Sequence, residues 1–591
     1  MVKAIVPSVF LLSSCVCVHA LSIQSPSSVD QIRNAMSLTT IGQTNITTAI
    51  SAVQNWEEIL YETKPFNFKD QPLSIRVLCN CLYASSLSRI GRDRDAFNVH
   101  EITLSLISQG NESQRMIDVL VDIRIGRGEA MQRLLQYDKA QANFAAACEL
   151  GRKYPLSLPG MDSKLTKCAY SAAVCALRRG HFQDTVTMLA PIFKTVIDTN
   201  LAEIDPNLAG MYGILLWEGE TVDTKIMNKG SSILSPIQLL EYAASSSIAS
   251  PVYKWFYALA SNTSCDLFQK DLTGMEREAF LQIASINQSP FDDFKLLHLD
   301  DKVLLYTILQ SSEATIRSWP LGFILPRDQS QIQEHNLRNP NDRWILKDRA
   351  GYGSHGNQIV ACDGDMEEHL DKQFLADSEY NLLCQKLIEP SLLYDGRKFS
   401  IRVYVVYFQN SGVGETDGAA YLLNQGLVKL AESEYDANNS NDGMYMTNSG
   451  RIEGDAMIQY NFDSLRTYMI RTHGKESFEK LWDAVEESVS EVMKVFAQLQ
   501  VSDDIMKQYI QPTMMFSTVP KIMGFDYIID TSLAPWLMEV NRFPGLEARG
   551  AADYTVKNEV VETAWKLASR RSGVACGFPT LDVDSAKKLN S

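Results

Sequence analysis

Residues 522–547 run IMGFDYIIDTSLAPWLMEVNRFPGLE. Apolar residues flank Asp526, the turn-prone segment DTSLAP follows at 530–535, and a second apolar run carries Glu539 and Asn541. This pattern predicts a β-hairpin, because apolar runs bounded by Asp, Ser and Pro read as strands joined by a turn. Glu539 and Asn541 are two residues apart and so share one face of their strand. Two carboxylates and a carboxamide are hard oxygen donors, suited to a Mg²⁺ ion bridged to phosphates. Strands that are otherwise apolar seldom bury such groups without a partner. A structural ion-pair role is the alternative for this segment taken alone.

Two segments upstream supply the opposite charge. Residues 343–360, RWILKDRAGYGSHGNQIV, place Lys347 on an apolar strand, then Gly351, Gly353 and Gly356, then a second strand. Glycines let backbone amides approach phosphate oxygens without a side chain in the way. No GKS or GKT follows and no helix starts at the glycines, so this is not a P-loop. By itself the segment reads better as a glycine-rich surface hairpin. Residues 381–408, NLLCQKLIEPSLLYDGRKFSIRVYVVYF, give a short strand, a turn and a long strand on which Lys398, Ser400 and Arg402 share a face. Cations on one face of an apolar strand call for an anionic ligand, or for salt bridges on a solvated sheet.

In order, WILKD with its glycine hairpin, QKLIEPSLLYDGRKFSIRVYVV, YLLNQGLVKL at 421–430, YMTNSG at 445–450 and GFDYIIDTSLAPWLMEVNRFPGL resemble the tubulin-tyrosine-ligase-like family. The resemblance covers roughly 318–546. It implies an ATP-grasp fold of α/β (α+β) class and an ATP-dependent carboxylate-amine ligase with ATP and Mg²⁺ as cofactors. It further implies that Lys347, Lys386, Lys398 and Arg402 contact ATP, with Gly351, Gly353, Gly356 and Asn448 beside it. The backbone of Gln385, Lys386, Leu387 and Ile388 would hold adenine. Asp526, Glu539 and Asn541 would bind Mg²⁺, and Arg402, Lys429 and Glu539 would carry catalysis. The chain departs from the family pattern at Ser400, where Asp is usual, at Lys429, where Arg is usual, and at Tyr445-Met446-Thr447-Asn448, where His-Leu-Thr-Asn is usual. Lys keeps the charge of Arg and loses its planar fork.

The remainder of the chain is of another kind. From about Val29 to Leu216 apolar residues recur at three- and four-residue spacing, which predicts helices. Three stretches look alike, at 83–102, 131–150 and 172–191, centred on Ala96, Ala140 and Thr185. Each reads as a helix-turn-helix unit with a small residue at the crossing. The pitch is about 44 residues, longer than the roughly 34 of a tetratricopeptide repeat. We expect an all-α, helical-repeat domain resembling tetratricopeptide arrays over 29–216 that binds a protein partner, with a plain helical bundle as the alternative. A helical link would cover 217–317, the ligase domain 318–575 and a tail 576–591. Phe478, Leu481, Trp482, Val485, Val489, Val492 and Phe496 recur at helical spacing and predict a core-facing stripe.

Composition excludes several classes. A formal net charge of -16 over 591 residues, without a Lys/Arg cluster, argues against nucleic-acid binding. Residues 1–20, MVKAIVPSVFLLSSCVCVHA, have the layout of a cleaved signal peptide, and a Ser/Thr-rich stretch to about residue 40 extends it toward a two-part plastid-type leader. A cytoplasmic location is expected if the leader is kept. No other apolar run is long enough to span a membrane. The 11 cysteines are scattered without a CxxC pair, which points to free thiols rather than disulfides or zinc. Three readings stay open: a ligase acting on a protein carboxylate, with tubulin or another protein as acceptor; an ATP-grasp ligase with a non-tubulin acceptor; and a nucleotide-binding pseudoenzyme acting through its helices.

Overall fold

The computed structural model describes residues 46–61, 73–90, 92–108, 117–134, 136–153, 161–178, 185, 189, 205–222, 235–246, 252–263, 294–311, 318–347, 349, 357–361, 382–409, 419–436, 444, 445, 447, 459–499, 516–546, 551–572 and 586–589. The leader, Gly351, Gly353, Gly356 and Asn448 lie outside the described residues. An all-helical region comes first in the chain and a mixed α/β, sheet-containing region follows. The chain divides into two compact units, the first within Met1–Ala176 and the second built from Leu177–Arg349 and Asn357–Ser591.

The first unit contains α1 (Ile46–Tyr61), α2 (Leu73–Arg89), α3 (Asp93–Ser108), α4 (Ile117–Arg133), α5 (Tyr137–Lys153) and most of α6 (Met161–Arg178). Helices α1 to α5 each pack on the next. The turns α2–α3 and α4–α5 close with the same hydrogen bonds: Ile90, Arg92 and Ala96 N–H donate to the carbonyls of Ser86, Leu87 and Arg92, and Leu134, Gln136 and Ala140 N–H to those of Ala130, Met131 and Gln136. Every residue of the second set lies 44 positions after its counterpart, as 130 follows 86. Ala96 and Ala140 are both fully buried, because only a small side chain fits where consecutive helices cross. Thr185, the centre of the third stretch, is buried as well.

In the second unit come α7 (Pro206–Val222), α8 (Pro236–Ser245) and α9 (Val252–Ser261), then α10 (Lys302–Ser311), α11 (Gln329–Arg338), α12 (Phe462–His473), α13 (Ser477–Gln498) and α14 (Ala551–Ser572). The first compact unit extends to Ala176, and α7 to α9 fall in the second unit with the sheets. The physical reason is a tertiary contact that helical periodicity does not reveal. Trp255 on α9 meets Trp565 on α14 edge to face at 5.5 Å, and its Nε1 donates to Thr518 Oγ1 at 3.0 Å.

Two antiparallel sheets carry the rest. The smaller has the order β1 (Gly322–Leu325), β4 (Leu382–Lys386), β2 (Arg343–Lys347), β3 (Gln358–Ala361). The larger has seven strands, with β10 (Pro535–Asn541), β9 (Lys521–Ile529), β6 (Arg397–Phe408), β7 (Ala419–Leu430) and β11 (Ala586–Lys588) in order, β5 (Leu393–Tyr394) beside β6 and β8 (Gln459–Asn461) beside β7. One face of the large sheet packs on α12 and α13. Phe399, Ile401, Val403 and Val405 of β6 and Met523, Phe525, Tyr527 and Ile529 of β9 share a core with Phe478, Leu481, Val485, Val489, Val492 and Phe496, with Trp482 packed against it. The period of two then sends Lys398, Ser400, Arg402 and Asp526 to the opposite face. Among the described residues no helix is long and apolar enough to cross a membrane, and the described cysteines, Cys79, Cys81, Cys148, Cys168, Cys175 and Cys384, are free.

Candidate active site

The hairpin expected over 522–547 forms, with one irregularity that shapes the site. Leu537 pairs with Tyr527, but Glu539 pairs with Asp526, so Met538 bulges out of the ladder. The bulge keeps Leu537 and Val540 in the core while Glu539 and Asn541 turn to the other face. It also frees the Met538 carbonyl, which accepts a hydrogen bond from Lys347 Nζ at 3.1 Å.

Asp526 sits directly across from Arg402 on β6. The guanidinium grips both carboxylate oxygens, Nε to Oδ1 at 2.7 Å and Nη2 to Oδ2 at 2.5 Å. Gly524, two residues back on the same face, leaves room for this reach: a Cβ there would stand 3.2 Å from Arg402 Cδ and Nε. Lys429 Nζ approaches Asp526 Oδ2 at 3.5 Å. Asn541 Nδ2 donates to Asp526 Oδ2 at 3.3 Å and to Glu539 Oε1 at 3.2 Å, joining the three oxygen-bearing side chains.

A further cation was not legible as a site residue. Lys302 Nζ lies 3.6 Å from Glu539 Oε2. It is placed by the start of α10, where Asp301 Oδ1 accepts from the N–H groups of Val303 and Leu304, each at 3.0 Å. The other oxygen of Asp301 takes Arg349, and Asp300 Oδ1 accepts from Arg542 N at 2.9 Å, tying the helix start to the end of β10. The available signal was the run Asp300-Asp301-Lys302 ahead of an apolar helix, which marks a capped start.

The charges do not balance. Lys302, Lys347, Arg402 and Lys429 are all under 10 % exposed, as is Asp526, and Glu539 is the second carboxylate among the described residues of the cluster. Four cations thus face two anions. The imbalance registers in the lysines. Burial, opposed in part by Glu539, draws the Lys347 ammonium down to about 7. Burial and the adjacent Arg402 draw Lys429 down to about 8. Burial would push the Asp526 carboxyl up, yet Arg402 and Lys429 outweigh it and hold it well below the usual carboxylate range. Among its described residues the cluster carries more positive than negative charge, and an anionic ligand would offset the difference.

One polar group also lacks a partner. Gln385 is fully buried, its Oε1 accepts from Lys347 Nζ at 2.6 Å, and its Nε2 has no hydrogen-bond partner among the described residues. A buried amide with an orphaned donor fits a ligand atom at that point.

The expected site residues do not all converge. Lys347, Gln385, Arg402, Lys429, Asp526, Glu539 and Asn541 come together. Lys386 turns away, with its side chain 41 % exposed and paired to Asp342 at 2.8 Å. Lys398 is buried against Glu389 instead, at 3.2 Å. Leu387 is held by its N–H donating to the Arg343 carbonyl at 2.8 Å, and Ile388 accepts from Ser391 Oγ at 2.9 Å. Ser400 lies across from Lys429 in the β6–β7 register, and its Oγ accepts from Thr447 Oγ1 at 2.7 Å. Among the described residues no three His, Cys, Asp or Glu side chains converge. A cation here would be held by two carboxylates and a carboxamide.

Comparison with known proteins bears on this arrangement. The model of the tubulin-tyrosine ligase family matches residues 286–572, which contain both sheets' principal strands and every residue of the cluster. Residues 286–572 form a tubulin-tyrosine ligase family domain. A tubulin monoglutamylase of Homo sapiens is 24% identical to the chain over 265 residues, 42% of this chain and 20% of the relative. A tubulin polyglutamylase of Mus musculus is 24% identical over 261 residues, 42% of this chain and 29% of the relative. A probable alpha-tubulin polyglutamylase of Tetrahymena thermophila is 23% identical over 264 residues, 42% of this chain and 59% of the relative. The chain thus spans between about a fifth and three fifths of the length of these relatives.

Proposed function

We propose that the chain is an ATP-dependent carboxylate-amine ligase that joins an amino acid to a protein carboxylate. The observation that carries this reading is the surplus of buried cations beside a pair of carboxylates on one sheet face. A triphosphate supplies the missing negative charge, and Asp526, Glu539 and Asn541 offer the oxygen donors that Mg²⁺ prefers. Bound there, Mg²⁺ would neutralise phosphate charge as it is transferred. The relatives' names, tubulin monoglutamylase and polyglutamylases, support addition of an amino acid to a protein, and tubulin is among the acceptors to test.

The chain's own residues divide the work. Lys347 and Lys302 flank Glu539 and hold phosphate oxygens. Arg402 and Lys429 bind anionic oxygens on the Asp526 side, where the acceptor carboxylate takes the γ-phosphoryl group to give an acyl phosphate and ADP. The amine of the second substrate then displaces phosphate and forms the amide. Within the described residues of the cluster no Ser, Cys or His is set up as a nucleophile, so transfer through a covalent enzyme adduct is not part of this proposal. Ser400 in place of a carboxylate leaves the Lys429 edge of the sheet more cationic and favours an acceptor with an additional anionic group.

The direct test is release of ADP with incorporation of labelled amino acid into an acceptor protein by the purified full chain. We expect both to depend on Mg²⁺ and on each other. ATP consumption with no incorporation into tubulin or into proteins of a cell extract would overturn the ligase reading.

A proton balance follows from Lys347. Its ammonium, drawn down to about 7 in the free protein, is mostly neutral at pH 8, and phosphate oxygens beside it favour the charged form. Binding of Mg-ATP at pH 8 is then expected to take up close to one proton, and affinity to fall as pH rises above 7, by at most about tenfold per pH unit. Titration calorimetry in two buffers of different ionisation enthalpy measures the uptake. A value near zero would show that Lys347 does not meet the phosphates.

A further inference from the structure

Lys398 shares a strand face with Arg402, yet its ammonium belongs to a different cluster. It lies 3.2 Å from Glu389 Oε1, and 4.7 Å and 4.3 Å from the ring centroids of Tyr435 and Tyr445. Arg343 Nη1 donates to the Tyr445 hydroxyl at 2.6 Å and stands 3.6 Å from the same Glu389 oxygen. The Tyr435 hydroxyl donates to that oxygen at 3.1 Å, and the two tyrosine rings meet edge to face at 5.9 Å. One carboxylate therefore serves two cations, and one aromatic residue, Tyr445, touches both of them.

The location gives this cluster its consequence. Arg343 opens β2 of the small sheet, and its carbonyl accepts from Leu387 N at 2.8 Å. Lys398 lies on β6 of the large sheet. Glu389 follows directly on Gln385–Ile388, the segment that passes from one sheet to the other beside the cation cluster. We propose that Tyr445 is a positioning residue for this segment. Its ring holds Lys398 and its hydroxyl holds Arg343, one on each side of Glu389, so that the segment beside Gln385 is fixed between the two sheets for a nucleotide base. The inference rests on the nucleotide reading above. A cation is held over a tyrosine ring by the ring's negative face, and a hydroxyl that accepts from a guanidinium makes a charge-assisted bond. A histidine here would become cationic in mild acid, between two cations, and would loosen both contacts.

The experiment compares full-length wild type with Tyr445→Phe, Tyr445→Leu, Arg343→Met and the Tyr445→Phe, Arg343→Met double variant. Binding of Mg-ATP is measured by calorimetry, and the ATP KM and kcat by ADP release. Tyr445→Phe keeps the ring and loses the hydroxyl bond, and is expected to weaken ATP binding about three- to tenfold. Tyr445→Leu loses both contacts and is expected to weaken it at least about tenfold. In each, KM rises while kcat stays within about twofold, since neither contact reaches the phosphates. The double variant should bind no worse than Arg343→Met alone, because the hydroxyl bond that Tyr445→Phe removes is already lost there together with the Glu389 and ring contacts of Arg343. If Tyr445→Leu fails to fold by circular dichroism, the Phe variant and the double variant decide. ATP affinity within twofold of wild type in Tyr445→Phe, a loss in kcat at constant KM, or additive losses in the double variant would overturn the proposal while leaving the ligase reading intact. Absence of Mg-ATP binding by wild type would overturn both.

Discussion

Glu539→Gln is expected to lower ATP turnover by at least about 100-fold, or about 2.7 kcal/mol of barrier, and to leave the chain folded. Among the described residues Glu539 is one of two carboxylates in a cluster with four cations, facing Lys302 at 3.6 Å and accepting from Asn541 Nδ2 at 3.2 Å. Glutamine keeps the shape and the carbonyl acceptor for Asn541, so little packing is lost. What it removes is one negative charge and an anionic oxygen donor at the place where phosphate charge develops during transfer. The two effects separate in binding. Affinity for ATP without Mg²⁺ should hold or rise, because the cationic surplus grows, whereas the gain in affinity that Mg²⁺ confers should largely disappear. Turnover assays, calorimetry with and without Mg²⁺ and a melting curve read all three. Turnover at the wild-type rate would remove Glu539 from the metal-binding role.

How far the sequence carried this site depends on which physical rule was in play. The face shared by Asp526, Glu539 and Asn541 was legible because side chains alternate along a strand and apolar neighbours mark the buried side. The bulge at Met538 was not, since a register shift leaves no compositional mark, and with it went the Met538 carbonyl that holds Lys347. Lys302 escaped notice because it begins an apolar helix far from Glu539 in the chain, and only the capped helix start hints that its side chain is placed rather than free.

Lys398 illustrates the limit of the alternation rule. It lies on the same face as Arg402, but four residues of strand separate the two by about 13 Å. Face identity therefore does not bring their side chains to one protein partner, and the loop residues Tyr435 and Tyr445 settle where Lys398 goes. The helical half shows the converse. Its 44-residue spacing was readable and recurs in the turn hydrogen bonds, while the end of the first unit was not, because α7 to α9 have the same periodicity as the helices before them. Their place in the second unit follows from Trp255 meeting Trp565 and Thr518, residues hundreds of positions away.

Arg402→Met is expected to destabilise the second unit by about 3–5 kcal/mol, the cost of removing one partner from a buried ion pair. Arg402 is the residue that engages both oxygens of Asp526. Without it the carboxylate keeps Lys429 at 3.5 Å and Asn541 at 3.3 Å, each through a single long contact, so the cost should fall toward the lower end of that range. Arg402→Lys restores the charge through one donor in place of a planar fork and should lie between the variant and wild type. The pH dependence gives a second reading. In wild type the Asp526 carboxyl is held below its ordinary value, so its contribution to stability is fully present above about pH 4 and is lost as pH falls further toward the folded-state value. In Arg402→Met that value rises toward the ordinary one, so the loss below about pH 4 is smaller and is complete at a higher pH. Urea unfolding followed by tryptophan fluorescence between pH 3 and 8 measures both effects. A midpoint equal to wild type across that range would mean that Asp526 does not depend on Arg402, and the charge balance drawn for the site would have to be redrawn around Lys429.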